Sequence, residues 1–300
     1  MLLKKKRSRE LLLIYLFLLP AFAVFMIYRI IPLGWNLLLS FQEWKPVGPN
    51  EWIGLANYAK MFKDEVFWKS LTNTVIYFAV GSPIAIIIAI FIAIFVNQPL
   101  RGRNVYRALI FLPYPITPIA IGIIWQWLYN ERFGLINYVL RSIGIVDQGI
   151  PFLQSFQWAL PSVILTSIWQ VVGFFFILVL TGLQSIPSEL YEAAIMDGAS
   201  PGNRFFRITL PLIRSTIFIC FIVGIINSFT LFDLIYVMTG GGPGHSTEIL
   251  ITYIYMNAFS FGKMGYAASI TVVLFLFLLV ITFAMNRVSG GEAGGMEVYE

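Results

Sequence analysis

Charge is what this chain has least of. Only 12% of its 300 residues are Asp, Glu, Lys or Arg, where a soluble domain carries about 25%. Hydrophobic residues make up 58% and the mean hydropathy is +0.81. That balance excludes the water-soluble class and points to a lipid bilayer. The net charge of +5 would suggest nucleic acid in a soluble protein. Here the basic residues sit at the ends of apolar runs, which membrane orientation explains, so no nucleic-acid partner is expected. There is one cysteine, Cys220, inside an apolar run, so no internal disulfide can form. There is one histidine, His245, so no second His or Cys exists to build a zinc site with it, and no metal is expected. His245 reads as a loop residue, so no Ser/His/Asp set is expected around it. No G-x-x-x-x-G-K-[ST] occurs, so the chain carries no P-loop of its own. Gly240-Gly241-Gly242 resembles a phosphate cradle but lacks the lysine and the following helix, and reads as a loop. With no carboxylate pair inside an apolar run, no catalytic residues are expected and the polypeptide alone is not read as an enzyme.

What the chain does have is apolar runs, and a span needs about 20 residues. Six spans are expected, at about 11–33, 71–96, 108–129, 158–180, 212–238 and 266–285, making an all-α membrane protein with a single transmembrane domain over 11–300. A basic head, residues 1–10, precedes them, and a Gly-rich tail, SGGEAGGMEVYE, follows. Ala21-Phe22-Ala23 resembles a signal-peptide cleavage site, but the apolar run continues past it, which favours a retained first helix. The third span is broken by Pro113, Pro115 and Pro118; a kinked packing helix and a helix bent to line a cavity fit these prolines equally. Residues 34–70, 130–157 and the stretch after Thr239 read as connecting loops. Lys and Arg gather in the head, in 101–107, in 204–214 and at Arg287, while the long 34–70 loop is charge-balanced. The positive-inside rule then puts both termini in the cytoplasm, together with the polar stretch 183–211.

That stretch, Leu183–Pro211, is the longest polar interruption of the second half and carries the signals of two short helices. Ser188 is placed to cap the first, Glu189 falls in its opening turn, and Gly198 sits where a left-handed closing residue is needed. Ser200-Pro201 repeats the start signal. Leu190, Ala193, Ala194 and Asp197 share one face by their spacing, and Glu192 beside them offers a carboxylate to a basic partner. The pattern is that of a docking knob.

Polar residues inside spans are costly and mark candidate sites. The fourth span carries Thr166, Ser167, Trp169 and Gln170, with Phe174, Phe175 and Phe176 one turn on; the fifth carries Asn227, Ser228, Thr230 and Asp233; Tyr114 lies between two prolines of the third. Neutral hydrogen-bonding groups beside aromatic faces suit a sugar, whose hydroxyls need partners and whose C–H faces stack on rings. Ordinary helix-to-helix hydrogen bonding is the rival account for each residue singly. Asp233, near the outer end of its run, fits an interfacial role as well as a pocket.

Four stretches together resemble one family: Glu192-Ala193-Ala194 with Gly198 and Ile208-Thr209-Leu210-Pro211; GLANYAKMFKD with LTNTVIYF; RGRNVYRALIFLPYPITP; and FDLIYVMTGGGP. The chain is similar to a permease subunit of a type I ATP-binding-cassette importer, of the carbohydrate class that includes the larger permease of the maltose importer and its shorter six-helix relatives. The resemblance implies a multi-pass protein of a prokaryotic cell (inner) membrane that works by alternating access. Its implied partners are a second, related permease, two ATPase subunits that bind ATP and Mg, and an extracytoplasmic sugar-binding protein. Within 183–211, Glu192, Ala193, Ala194, Asp197, Gly198, Leu210 and Pro211 would form the loop that couples to the ATPase. Tyr114, Trp169, Gln170, Phe174, Asn227, Ser228 and Leu231 match the family's sugar-contacting positions, Gln170 and Leu231 with a different residue type from the maltose system. On the residues alone, an ion-coupled secondary transporter or a non-transporting membrane scaffold stays open.

Overall fold

The computed structural model describes residues 2–99 and 101–288, and these are helical almost throughout; the Gly-rich tail from Ser289 lies outside the described residues. Among the described residues, four helices are long and apolar enough to cross a membrane: Leu13–Leu39, Glu65–Val96, Ala159–Gln184 and Met264–Met285. A fifth is added if Pro201–Leu212 and Arg214–Phe229, bent by 63°, act as one span.

The differences from the six expected runs have local causes. The backbone is helical from Leu2, so the basic head continues the first helix instead of preceding it. That helix also runs past Leu33 to Leu39, because Gly34 interrupts it without a breaking neighbour and Leu37-Leu38-Leu39 stay apolar. The second begins at Glu65, since Asp64 accepts from the Val66 and Phe67 amides (2.9 and 3.4 Å) and caps it. The third run is two helices, Arg103–Phe111 and Pro118–Leu128, separated by the proline-rich turn. The fifth is likewise divided, into Arg214–Thr230 and Asp233–Met238, by extended backbone at Leu231. All three segments expected as loops contain helices: Ala56–Phe62, Leu135–Ser142 and Leu250–Tyr255.

The described residues form two units. In the first, residues 1–63 with 254–275, the ribbon Gln42–Glu43/Glu51–Trp52 is held by Asn57, whose side-chain amide donates to the carbonyls of Ser40 and Gln42, both at 3.0 Å.

The second unit, residues 64–253 with 276–300, holds the candidate site. Its spine is the pair Glu65–Val96 and Ala159–Gln184, packed along their length. Ala85, Ala89 and Ala93 recur every four residues and are fully buried, with Val163, Phe176 and Val179 among the buried residues of the facing helix. In lipid no hydrophobic force drives helices together, so close approach over small residues and dense van der Waals contact must do it. The loop after Met238 is anchored to the spine: the buried Asn73 amide donates to the carbonyls of His245 (3.0 Å) and Glu248 (2.8 Å), and the Leu250 amide donates to Thr74 Oγ1 (3.1 Å). Asn73→Ala leaves both carbonyls unpaired, and a loss of about 2 kcal/mol is expected. Thermal unfolding of the detergent-purified protein checks this; an unchanged midpoint would dismiss the anchor.

Candidate functional site

The cavity of the second unit lies where its interrupted helices meet. It holds about 520 Å³ and is walled by four chain segments. The Glu65–Val96 helix contributes Tyr77, Gly81 and Ser82, from and beside a π-helical turn at Tyr77–Gly81; such widened turns recur at functional sites. The proline turn contributes Tyr114, Pro115, Ile116 and Thr117, so the prolines line a cavity and do not merely kink a packing helix. Ala159–Gln184 supplies Ser167, Gln170, Val171 and Phe175, and the fourth segment supplies Gly224, Asn227, Ser228, Leu231, Phe232 and Asp233.

Each break in a helix frees backbone groups that lipid cannot satisfy, and neighbours take them up. The Gln170 side-chain amide donates to the Ile116 carbonyl at 3.1 Å. The Gln126 side chain donates to Val237 O (2.7 Å) and Met238 O (3.2 Å), closing the end of the short Asp233–Met238 helix. Hydroxyls pair across helices as well: Tyr77 with Ser167, and Ser82 Oγ with Ser228 Oγ at 3.4 Å. Gly224 allows that last contact, because a Cβ there would stand 2.9 Å from Ser82 Oγ.

Five of the seven sugar-contact candidates line this cavity: Tyr114, Gln170, Asn227, Ser228 and Leu231. Trp169 and Phe174 do not. Trp169 is one residue, or about 100° of helix, from Gln170; it packs edge-on against Trp125 with ring centres 5.6 Å apart and stays 41% exposed. Phe174 stands behind the wall, stacked on Tyr114 at 4.7 Å. The cavity adds Tyr77, Ser82 and Thr117, which the sequence reading passed over. The rule that singles out polar groups in apolar runs also reaches Tyr77 and Ser82.

The stretch after Gln184 folds as two short helices. Gly198 has φ +74 and closes the first, with the Ala199 amide on the Ala194 carbonyl at 2.9 Å. Ser200 accepts from the Asn203 amide at 3.3 Å and caps the second, with Pro201 in its first turn. Ser188 does not cap: extended Pro187 takes that position and Ser188 is the first helical residue. Tyr191 OH and Thr209 Oγ1, 3.0 Å apart, tie the two helices. Leu190, Glu192, Ala193, Ile195 and Asp197 face outward and Met196 is 87% exposed, while Ala194 and Leu210 are partly covered and Pro211 is exposed. Glu192 makes no ion pair among the described residues.

Residues 53–290 match the family described as "Binding-protein-dependent transport system inner membrane component". The chain is 37% identical over 279 residues to the probable ABC transporter permease protein YurN of Bacillus subtilis, covering 91% of this chain and 92% of that one. It is 37% identical over 240 residues to the sulfoquinovosyl glycerol transport system permease protein SmoG of Agrobacterium fabrum, covering 80% and 77%. A crystal structure of a bacterial ABC transporter involved in the import of the acidic polysaccharide alginate contains a chain that matches with a TM-score of 0.84 at 26% identity, over 96% of this chain and 98% of that one. The interrupted helices, the cavity they frame and these matches agree, and the chain belongs to the family of binding-protein-dependent transport system inner membrane components, as a permease subunit with the type I ABC importer fold.

Proposed function

We propose that this chain forms half of the translocation path of an ATP-driven sugar importer, and contributes no catalytic residue. In this reading it spans a prokaryotic inner membrane six times, as one permease domain over 11–300, with both termini and the 183–211 loop in the cytoplasm. The proline-broken 108–129 segment and the bent 201–230 segment then complete the six. The partners are a second permease, two ATPase subunits holding ATP and Mg, and an extracytoplasmic binding protein, a dependence the family's own description supports.

The observation that carries the proposal is the cavity lining. Hydroxyls of Tyr77, Ser82, Tyr114, Thr117, Ser167 and Ser228, amides of Gln170 and Asn227, and aromatic faces of Tyr114 and Phe175 surround one space. That is the surface a sugar needs, with hydrogen-bond partners at its edges and rings for its C–H faces. Two of the proteins this chain is similar to carry sugar cargo, sulfoquinovosyl glycerol and alginate. Closure of the ATPase would draw the coupling loop with it, tilt the helices about the cavity, and open the cavity to one side at a time.

The test is uptake of labelled sugars by the assembled transporter in proteoliposomes, with and without internal ATP. ATP-dependent uptake is expected, and uptake driven by an ion gradient without ATP would refute the reading. Gln170→Ala and Asn227→Ala are expected to raise KM about tenfold each, the worth of one lost hydrogen bond in a closed site. Trp169→Ala, whose ring lies off the cavity, is expected to change KM less. Equal KM values in all three variants would remove the cavity from the path.

A further inference from the structure

Every polar group on the cavity wall but one is neutral. The exception is Asp233. No Lys, Arg or His lines the cavity among the described residues. Asp233 is solvent-accessible and makes no hydrogen bond or ion pair among the described residues. A carboxylate left unpaired on the wall of a binding cavity sets the sign of what can enter it.

We infer that Asp233 is a specificity-determining residue that makes this cavity select uncharged sugars and reject acidic ones. The inference rests on the importer reading and adds the charge class of its cargo. A cavity of 520 Å³ is roughly 10 Å across, so an anionic group near its middle lies roughly 5 to 6 Å from the wall that carries Asp233. At a separation of about 6 Å and an effective dielectric of about 20, like-charge repulsion corresponds to roughly a hundredfold loss of affinity. No cation on this chain's share of the wall offsets it. A neutral sugar meets the opposite balance: two adjacent hydroxyls can donate to the two carboxylate oxygens, and hydrogen bonds to an ionised acceptor are about twice as strong as neutral ones. The solved transporter involved in the import of the acidic polysaccharide alginate shares the fold, so the fold itself does not dictate the charge of the cargo. The wall residues do.

A purely structural account of Asp233 is available, since it opens the Asp233–Met238 helix, where the dipole favours an anion. That account does not involve the cargo. Asp233→Asn separates the two, because asparagine also serves at helix starts but carries no charge.

The experiment uses the complete transporter with its ATPase and binding protein in proteoliposomes. It offers a panel of neutral mono- to tetrasaccharides and a matched panel of oligouronates, reading uptake and sugar-stimulated ATP hydrolysis. Neutral sugars are expected to drive transport and uronates are not. For the driving sugar, Asp233→Asn should raise KM about tenfold and Asp233→Glu should recover most of that loss. A uronate transported by the unaltered protein with a KM at or below that of the neutral sugars overturns the charge selection and leaves the importer reading standing. An Asp233→Asn KM within about twofold of the parent also overturns it, whichever sugar is carried. If no member of either panel drives uptake or hydrolysis, the importer reading itself fails, and the role of Asp233 with it.

Discussion

Glu192→Lys is expected to abolish sugar uptake by the assembled transporter, by about a hundredfold or more, while the four membrane and ATPase subunits still purify together. On this chain alone Glu192 is exposed and makes no ion pair among the described residues. An isolated surface change of this kind alters a protein's own stability by no more than about 0.5 kcal/mol. The effect must therefore come from what Glu192 meets in a partner. Around it Leu190, Ile195 and Met196 are exposed apolar side chains on one nine-residue helix, and Ala193 and Ala194 let another surface come close. If that face seats in the ATPase, Glu192 is desolvated against a basic group there, and reversing its charge costs about 2–5 kcal/mol at the contact. The apolar rim would still hold the complex, which is why assembly survives and force transmission does not. Glu192→Gln keeps the shape and one acceptor and should lose about tenfold. The measurement is sugar-stimulated ATP hydrolysis beside uptake in the same proteoliposomes. Normal stimulation in Glu192→Lys would show that coupling runs through other residues.

Much of the helix pair in 183–211 was legible in the sequence because its punctuation is local. Gly198 must take a left-handed conformation and does, and Ser200-Pro201 starts a helix wherever it stands free. Ser188 was one position out, because Pro187 already supplies the extended residue before the helix. The apolar runs were legible for a similar reason: in lipid a backbone without water has to be helical. The break at Pro113–Pro118 was written in its prolines. The break at Leu231-Phe232 was not, since neither residue has turn chemistry. Gln126, distant in sequence, takes up the carbonyls of Val237 and Met238 at the far end of the short helix that follows it. The helices within the presumed loops, Ala56–Phe62, Leu135–Ser142 and Leu250–Tyr255, are too short for hydropathy to separate from their surroundings.

The candidate cavity was only partly legible, and helix phase explains part of the gap. Ser167, Gln170, Val171 and Phe175 follow the helical repeat onto one face. Trp169 falls on the opposite side of the helix, whereas Phe174 shares that face and is kept from the cavity by the Tyr114 ring stacked on it. Polarity and aromatic character alone cannot say which face of a buried helix is the wet one, because lipid-facing and helix-facing sides are both apolar. Two tertiary facts decide it here. One is the position of the proline turn beside Gln170. The other is the approach of the Arg214–Thr230 helix at Gly224, which brings Ser228 to Ser82.

Gly173→Val is expected to damage the fold of the second unit severely. Gly173 lies in the Ala159–Gln184 helix with ordinary helical backbone, so its importance is contact and not conformation. A Cβ there would stand 2.4 Å from the Ile110 carbonyl oxygen and 2.9 Å from Phe111 Cα. Both atoms are backbone and cannot swing aside as a side chain would. Overpacking a core by a methylene or two costs about 1–3 kcal/mol, and a clash with rigid backbone belongs at or above the top of that range. Set against a total stability of about 5–15 kcal/mol, this is a large share. The consequence also reaches the cavity. Ile110 and Phe111 end the Arg103–Phe111 helix and lead directly into the turn carrying Tyr114 and Thr117. Pushing that helix away moves one cavity wall and stretches the Gln170-to-Ile116 hydrogen bond. Gly173→Val should therefore lower both the yield of folded protein and its thermal midpoint by several degrees or more, and the surviving protein should show a raised KM for sugar. Gly34→Val is the control: it also lies in a helix, but nothing stands within 4 Å of its would-be Cβ. If the two variants unfold at the same temperature, close helix approach at Gly173 is not what holds this unit together.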